Sequence, residues 1–324
     1  MTTSPTTSAR SPLVSICIPA FNAEKTIVQC LRSVLEQQVE DAEIVLVDNC
    51  STDRTVALAE EILKDITDCR VVHNSSNLGR IGNWNRCLEI ARGKFVKFVF
   101  TNDALLPGAL KHFVQVMEGD RELVMAGSRQ RTVSTLPEVL PIFDDEIVTT
   151  VRNSGDAVAF LAKDGFASLG SLNGMIYRRS VIIGHGLRFR EDLPYFADFI
   201  HAMELASHGK VAFLETESYL FNEGATGRYH FAGLKCIPKF LAEHRACTNR
   251  QMQLLRTLGR PEQPALDYLW GRYFWYLGQG WKISPIDALR TFRGFPVLQL
   301  QATLKTAWFL VRKFLSQAGQ APTC

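Results

Sequence analysis

The sequence predicts an α/β fold, a mostly parallel sheet flanked by helices and followed by a helical C-terminal extension. Three observations carry that expectation. Short β-branched runs alternate with amphipathic helical stretches through the first hundred residues, polar and acidic residues gather directly after those runs, and from Lys235 onward the pattern is helical throughout and rich in aromatics. Alternation of this kind implies right-handed crossovers and parallel pairing, with helices on both faces.

The elements follow in order. Residues 13–18 read as a buried strand, stopped by Pro19. Within 23–37, Ile27, Val28, Leu31, Val34 and Leu35 share one helical face. Residues 43–47 are a second strand and 53–64 a helix, with Ser51 or Asp53 as its cap. Residues 70–73 are a third strand. Residues 81–91 form a helix closed by Gly93, and 95–100 are a fourth strand. The stretch 122–220 is less regular, with strands at 123–127 and 211–214 and a helix at 194–207.

Composition narrows the classes. The chain has 324 residues, 46% hydrophobic and 21% charged, which is globular rather than disordered. The eight cysteines form no C-x-x-C pair and suggest neither a zinc site nor a disulfide framework, so reduced thiols in a cytoplasmic protein are expected. Residues 1–12 are Thr/Ser/Pro-rich, lack the apolar core of a secretory leader and read as a loose tail. No uncharged apolar run reaches the length of a membrane span. The net charge of +3 divides into +9 from Lys235 onward and −6 before it. No nucleic-acid partner is expected.

In parallel sheets ligands bind at the carboxyl ends of the strands. Those ends carry PAFN at 19–22, DNCSTD at 48–53, NSSNLG at 74–79 and TND at 101–103. A carboxylate at Asp48 suits a nucleobase imide or a ribose hydroxyl, although Asp48-Asn49 also suits a plain turn. Asn102-Asp103 suits Mg²⁺ or Mn²⁺ held against a diphosphate, or alternatively a helix cap before Pro107. Asp198 suits a general base on a helix, or alternatively a solvated charge. Glu191 and Asp192 read as first-turn acids. The segment 79–85 is neither of the common phosphate loops, yet Arg80 suits donor phosphate charge, while Trp84 reads as core. His230 is the histidine to weigh as a metal or phosphate partner.

Taken together, VSICIPAFN at 14–22 and EIVLVDNCSTD at 43–53 resemble the opening of family 2 glycosyltransferases with a GT-A fold. Asn77-Leu78-Gly79, Asn83-Trp84-Asn85, ARGKFV at 91–96 and Asn102-Asp103 continue the likeness in order. The resemblance implies a GT-A domain over 13–230, with a nucleotide-sugar-binding half at 13–104 and an acceptor half at 105–230, then a helical extension at 231–324. It implies a donor site of Pro19, Phe21, Asn22, Asp48, Asn83, Asn102 and Asp103. It places Asp103 at the last acid of the family's metal-binding D-x-D element, with Mn²⁺ or Mg²⁺ as cofactor, and Asp198 at the catalytic base. The implied reaction moves a sugar from a nucleotide sugar, UDP being the favoured carrier, onto a hydroxyl of a glycan or lipid-linked acceptor, with inversion. Two departures stand out. The family usually has two or three acids where this chain reads Thr101-Asn102-Asp103, so metal affinity is expected to be weak or dispensable. Residues 221–224 occupy the place of an Arg-x-His-type element.

Two other readings compete. One is a non-catalytic nucleotide-sugar-binding protein with a degenerate D-x-D site. The other, a nucleotidyltransferase, is disfavoured because residues 20–25 lack the glycine-rich basic loop that such enzymes carry after the first strand. The basic, aromatic tail, with Trp308, Phe309, Phe314, Lys305, Arg312 and Lys313 in 295–315, suits a cover for the catalytic domain, a dimer face, or peripheral docking on the inner face of the plasma membrane.

Overall fold

A computed structural model of the chain describes residues 11–37, 39–143, 148–165, 169–224 and 237–267. The chain divides into two compact units, Met1–Tyr273 and Phe274–Cys324. Every described element belongs to the first. His230 and the basic, aromatic stretch 295–315 lie outside the described residues.

The first half is strictly alternating: β1 (Val14–Ala20), α1 (Ile27–Leu35), β2 (Ala42–Asp48), α2 (Thr55–Leu63), β3 (Cys69–His73), α3 (Gly79–Ile90) and β4 (Phe95–Phe98). The second half is not. It runs β5 (Ala104–Leu105), α4 (Ala109–Gly119), β6 (Leu123–Val133), β7 (Thr149–Arg152), α5 (Ser154–Asp164), β8 (Met175–Arg178), α6 (Arg179–Gly184), α7 (Ala197–Ala206), β9 (Lys210–Asn222) and α8 (Ile237–Thr257).

All these strands join one sheet in the order β3-β2-β1-β4-β8-β6-β9-β5, with β7 also on β9. Pairing is parallel from β3 to β4, as expected from the alternation. Beyond β4 the sheet is mixed, because β8 runs antiparallel to both β4 and β6 while β6 and β9 are parallel. The chain leaves β1 toward β2 and β3, then returns to place β4 on the other side of β1. That reversal opens a crevice at the carboxyl ends of the central strands.

The strands are apolar on both sides because both faces are covered. Ile16, Ile18, Ile44 and Leu46 pack in one core with α1, α2 and α4. Their neighbours Cys17, Val45 and Val47 pack in the opposite core with α3, α5, α7 and α8. The period-2 division of a buried strand accounts for this. Gly93 is needed where the chain enters β4, since a Cβ there would stand 2.4 Å from the Ser15 backbone nitrogen.

At the amino ends of the strands, Glu43 is 1% exposed and fully partnered. It accepts hydrogen bonds from the Ser15 hydroxyl (2.5 Å), the Arg92 backbone N–H (2.7 Å) and Nε (2.9 Å), and Arg70 Nη2 (2.9 Å). Burial alone would raise its pKa. The hydrogen bonds from Ser15 and Arg92 and the charge of Arg70 outweigh burial and hold the carboxyl below its ordinary value.

Element ends differ from the sequence expectation in instructive places. The helix expected at 23–37 is confined to Ile27–Leu35, because residues 23–26 form a turn bound to the neighbouring loop. Asp103 caps no helix: β5 intervenes, and α4 starts after Gly108 in the left-handed region at φ 87°. Glu191 and Asp192 precede α7 rather than opening it. Among the described residues no helix is long and apolar enough to cross a membrane.

Candidate functional site

The loops after β1 and β2 lock together. Asn22 and Cys50 are both left-handed, at φ 47° and 66°, which brings each loop back on itself. The Asn22 N–H donates to Ser51 Oγ (2.9 Å), and the Thr52 N–H donates to Asn22 Oδ1 (2.9 Å). Asp53 stands just ahead of α2, accepting from the Thr55 N–H (3.0 Å) and, across the gap, from the Glu24 N–H (3.1 Å). Asp48 is buried below this turn. Both its oxygens accept from the Ser51 N–H at 3.2 Å, and His73 Nδ1 lies 3.7 Å away.

Asn49 organises the next layer. Its amide donates to Asn77 Oδ1 (2.9 Å) and the Gly79 carbonyl (3.3 Å), and its Oδ1 accepts from the Leu78 N–H (2.8 Å) and Asn74 Nδ2 (3.1 Å). Asn74 also donates to Asn83 Oδ1 (2.9 Å), and Asn83 returns to the Val47 carbonyl (3.1 Å). These amides fix the start of α3, where Gly79 sits at φ +71°.

The crevice above them is a cavity of about 560 Å³. Pro19, Phe21, Asn83, Asn102, Asp103 and Asp198 line it, together with Arg80, Trp84 and Phe100. Residues far apart in sequence therefore meet in one cleft. Asn22 and Asp48 do not line it; they stand behind its wall as parts of the turn. Phe21 is half exposed and offers an aromatic face at the rim. Trp84, read from the sequence as core, is buried at 5% exposure yet presents an edge to the cavity, stacked 5.2 Å from Phe100.

Asp103 forms part of the floor and is 1% exposed. Its Oδ1 accepts from the Asn222 backbone N–H (3.0 Å) and its Oδ2 from Asn173 Nδ2. Burial pushes its pKa up to about 7, and those two hydrogen bonds oppose the rise. Asn173 is itself clamped, since its Oδ1 takes the Phe100 N–H (2.8 Å) and its carbonyl takes the buried Lys97 Nζ. Asn102 Oδ1 accepts from the Thr26 hydroxyl (3.2 Å).

Asp198 enters from the opposite side, in the first turn of α7. It reaches the cavity but lies deep enough that burial pushes its pKa up to about 6, against the charge of Arg80 and the hydrogen bond from the Phe199 N–H (2.9 Å). Arg80 lies 5.2 Å over the Trp84 ring and donates to the Pro194 carbonyl, in the segment just before α7. It thereby ties the β3–α3 side of the cleft to the Asp198 side.

The family model described as "Glycosyl transferase family 2" matches residues 15–181, just over half of the chain. The chain belongs to glycosyl transferase family 2. An uncharacterized protein of Mycobacterium tuberculosis is 43% identical over 123 residues, 38% of each chain. An uncharacterized glycosyltransferase of Haemophilus influenzae is 28% identical over 212 residues, 62% of each chain. The chain thus spans 38% and 62% of the length of these curated relatives, less than two thirds of either. Among solved structures, residues 1–349 of TarS from S. aureus in complex with UDP-GlcNAc superpose with a TM-score of 0.61 at 19% identity, covering 87% of this chain and 81% of that one. That likeness establishes the GT-A fold.

Family 2 membership raises the question of a divalent cation at the D-x-D position, and the residues present fit one poorly. Asp103 is the carboxylate expected there, and each of its oxygens already accepts one hydrogen bond from a donor fixed to β9 or to the Asn173 turn, which leaves a cation only the remaining lone pairs. Asn102 is neutral and engaged by Thr26. Among the described residues no group of three His, Cys, Asp or Glu side chains stands close enough to hold a metal. Hard cations of this kind are commonly held by one or two carboxylates together with substrate phosphates, and here one carboxylate stands at the position.

Several residues of this cleft escaped the sequence reading as site residues. Asn49 and Asn77 build the α3 entry, and Asn173 and Asn222 set the orientation of Asp103. The asparagine-rich strand ends were a visible signal for the first pair. Nothing local marks the second pair, whose partner is 70 and 119 residues away.

Proposed function

We propose that this chain is an inverting glycosyltransferase that binds a nucleotide sugar between the strand-end loops and α3, with Asp198 as general base. The observation that carries the reading is the position of Asp198 in the same cavity as the strand-end residues, facing them from α7. A carboxylate there is open to an incoming hydroxyl, and its raised pKa matches a base that must take up a proton near neutrality. Phe21 and Trp84 supply aromatic surface for the base or the sugar, and the Asn49–Asn83 network holds the loop that would meet the ribose. TarS binds UDP-GlcNAc on the same fold, which supports UDP as the carrier.

In the reaction the acceptor hydroxyl oxygen forms a bond to the anomeric carbon as its proton passes to Asp198. The bond from that carbon to the phosphate oxygen breaks, and the electron pair leaves with the nucleoside diphosphate. A single displacement from the opposite face gives inversion. The acceptor is a glycan or a lipid-linked oligosaccharide. The +9 charge from Lys235 onward supports docking on an anionic inner membrane face, which flotation with anionic vesicles at rising salt tests.

The test is a donor screen. UDP-, GDP- and dTDP-sugars are incubated with glycan and lipid-linked acceptors, and products are read by mass spectrometry and anomeric NMR couplings. One donor should release its nucleoside diphosphate and give a product of inverted configuration. A retained configuration, or consumption of no donor, would contradict the reading.

A further inference from the structure

We infer that this chain meets the charge of the donor diphosphate with Arg80 instead of a divalent cation, and that Asp103 is an internal strut of the site. The inference rests on the nucleotide-sugar reading above and concerns how the same site holds its donor.

The charge inventory of the cleft comes first. Among the described residues lining it, the charged side chains are Arg80, Asp103 and Asp198. A diphosphate adds further negative charge, so the cleft needs a counter-charge. Asp103 is poorly placed to recruit one. For its carboxylate to turn toward a cation, the Asn222 N–H and the Asn173 amide would each lose their acceptor inside the protein. A buried donor left unpaired is costly. The Asn173 amide cannot follow the movement, because its Oδ1 and its backbone carbonyl hold the Phe100 N–H and Lys97. What Asp103 does instead is structural. It joins the end of β9 to the residues that open β5 and to the turn before β8.

Arg80 is the cation already at the cleft. It stands in the first turn of α3, whose start is fixed by the Asn49 network. Its guanidinium plane is oriented by the Trp84 ring and by the Pro194 carbonyl. A guanidinium presents a fork of N–H donors that matches two phosphate oxygens, where an ammonium offers only a point charge. A donor bound there would be gripped by the same side chain that spans from α3 to the Asp198 segment, so diphosphate recognition and base placement share one residue.

Isothermal titration calorimetry on the full chain tests the inference. UDP, GDP and dTDP are titrated in EDTA and in Mn²⁺, with the matching nucleosides as controls. The preferred nucleoside diphosphate should bind equally, within about twofold, in both buffers. Arg80→Met should weaken it about ten- to hundredfold, the loss expected for charge-assisted hydrogen bonds. Arg80→Lys should recover part of that loss, and nucleoside binding should not change. Arg80 is exposed, so the variant should melt like the parent. Binding that appears only with Mn²⁺, or that survives Arg80→Met in EDTA, would overturn the inference while leaving the nucleotide-sugar reading intact. No binding of any nucleoside diphosphate in either buffer would overturn both.

Discussion

Carboxylates stand at both ends of the same sheet, and two of them, Glu43 at one end and Asp198 facing the other, are treated in opposite ways. At the amino ends Glu43 is surrounded by a hydroxyl, a backbone N–H and two guanidinium groups, and its carboxyl is held below the ordinary range. At the carboxyl ends Asp198 faces a cavity, has little inside the protein to stabilise its charge, and has its pKa pushed up to about 6. The partners of Glu43 serve stability. Asp198 is left under-compensated, where a reacting proton can use it.

The largest effect that would break this contrast is at Glu43. Replacing it by Gln leaves Arg70 and Arg92 without their shared counter-charge, although both guanidinium groups reach solvent. Glu43→Gln should lower unfolding free energy by about 3 kcal/mol, read from urea melts, while transfer per folded molecule stays unchanged. A loss of transfer without a loss of stability would mean that the two ends are not separable.

The pH dependence of stability sharpens the contrast, because the two groups carry opposite signs. Asp198 binds its proton more tightly in the folded state. Its favourable contribution is complete below about pH 4 and is lost as pH rises through about 6. Glu43 binds its proton less tightly in the folded state, so its contribution is present above pH 4.5 and is lost as pH falls below that. Melting temperatures of Asp198→Asn should therefore fall less between about pH 4 and 6 than those of the parent, the remaining fall coming from Asp103, whose pKa burial also raises. Glu43→Gln should lose part of the acid-side fall instead. The smallest effect is at the exposed pair Lys94–Glu118, near the Glu43 end, where Lys94→Ala should change stability by less than about 1 kcal/mol in the same melts.

How much of this was legible in the sequence depended on how local the cause was. The strands β1 to β4 were readable because each is a short apolar run between punctuation such as Pro19 and Gly93. The antiparallel turn of the sheet at β8 was not, since MIYR at 175–178 gains its place only by pairing with β4 and β6. The place of Asp103 followed from the strand ends, and its convergence with Asp198 from the resemblance to family 2 glycosyltransferases. The direction in which each carboxylate points did not. Asp48 turns to the Ser51 N–H because left-handed Cys50 folds the loop back, so the plain-turn alternative describes its hydrogen bonds in this structure. Asp103 turns inward because Asn222 and Asn173, distant in sequence, arrive to meet it.

The central claim is that Asp198 receives the acceptor proton, and the variant Asp198→Asn tests it most directly. Nucleotide-sugar affinity and transfer rate should be measured on the same preparation at pH 7.5 or above. Affinity should stay within about threefold while transfer falls by about two to four orders of magnitude, the range for loss of a positioned general base. Turnover near that of the parent, with the donor still bound, would show that another group takes the proton.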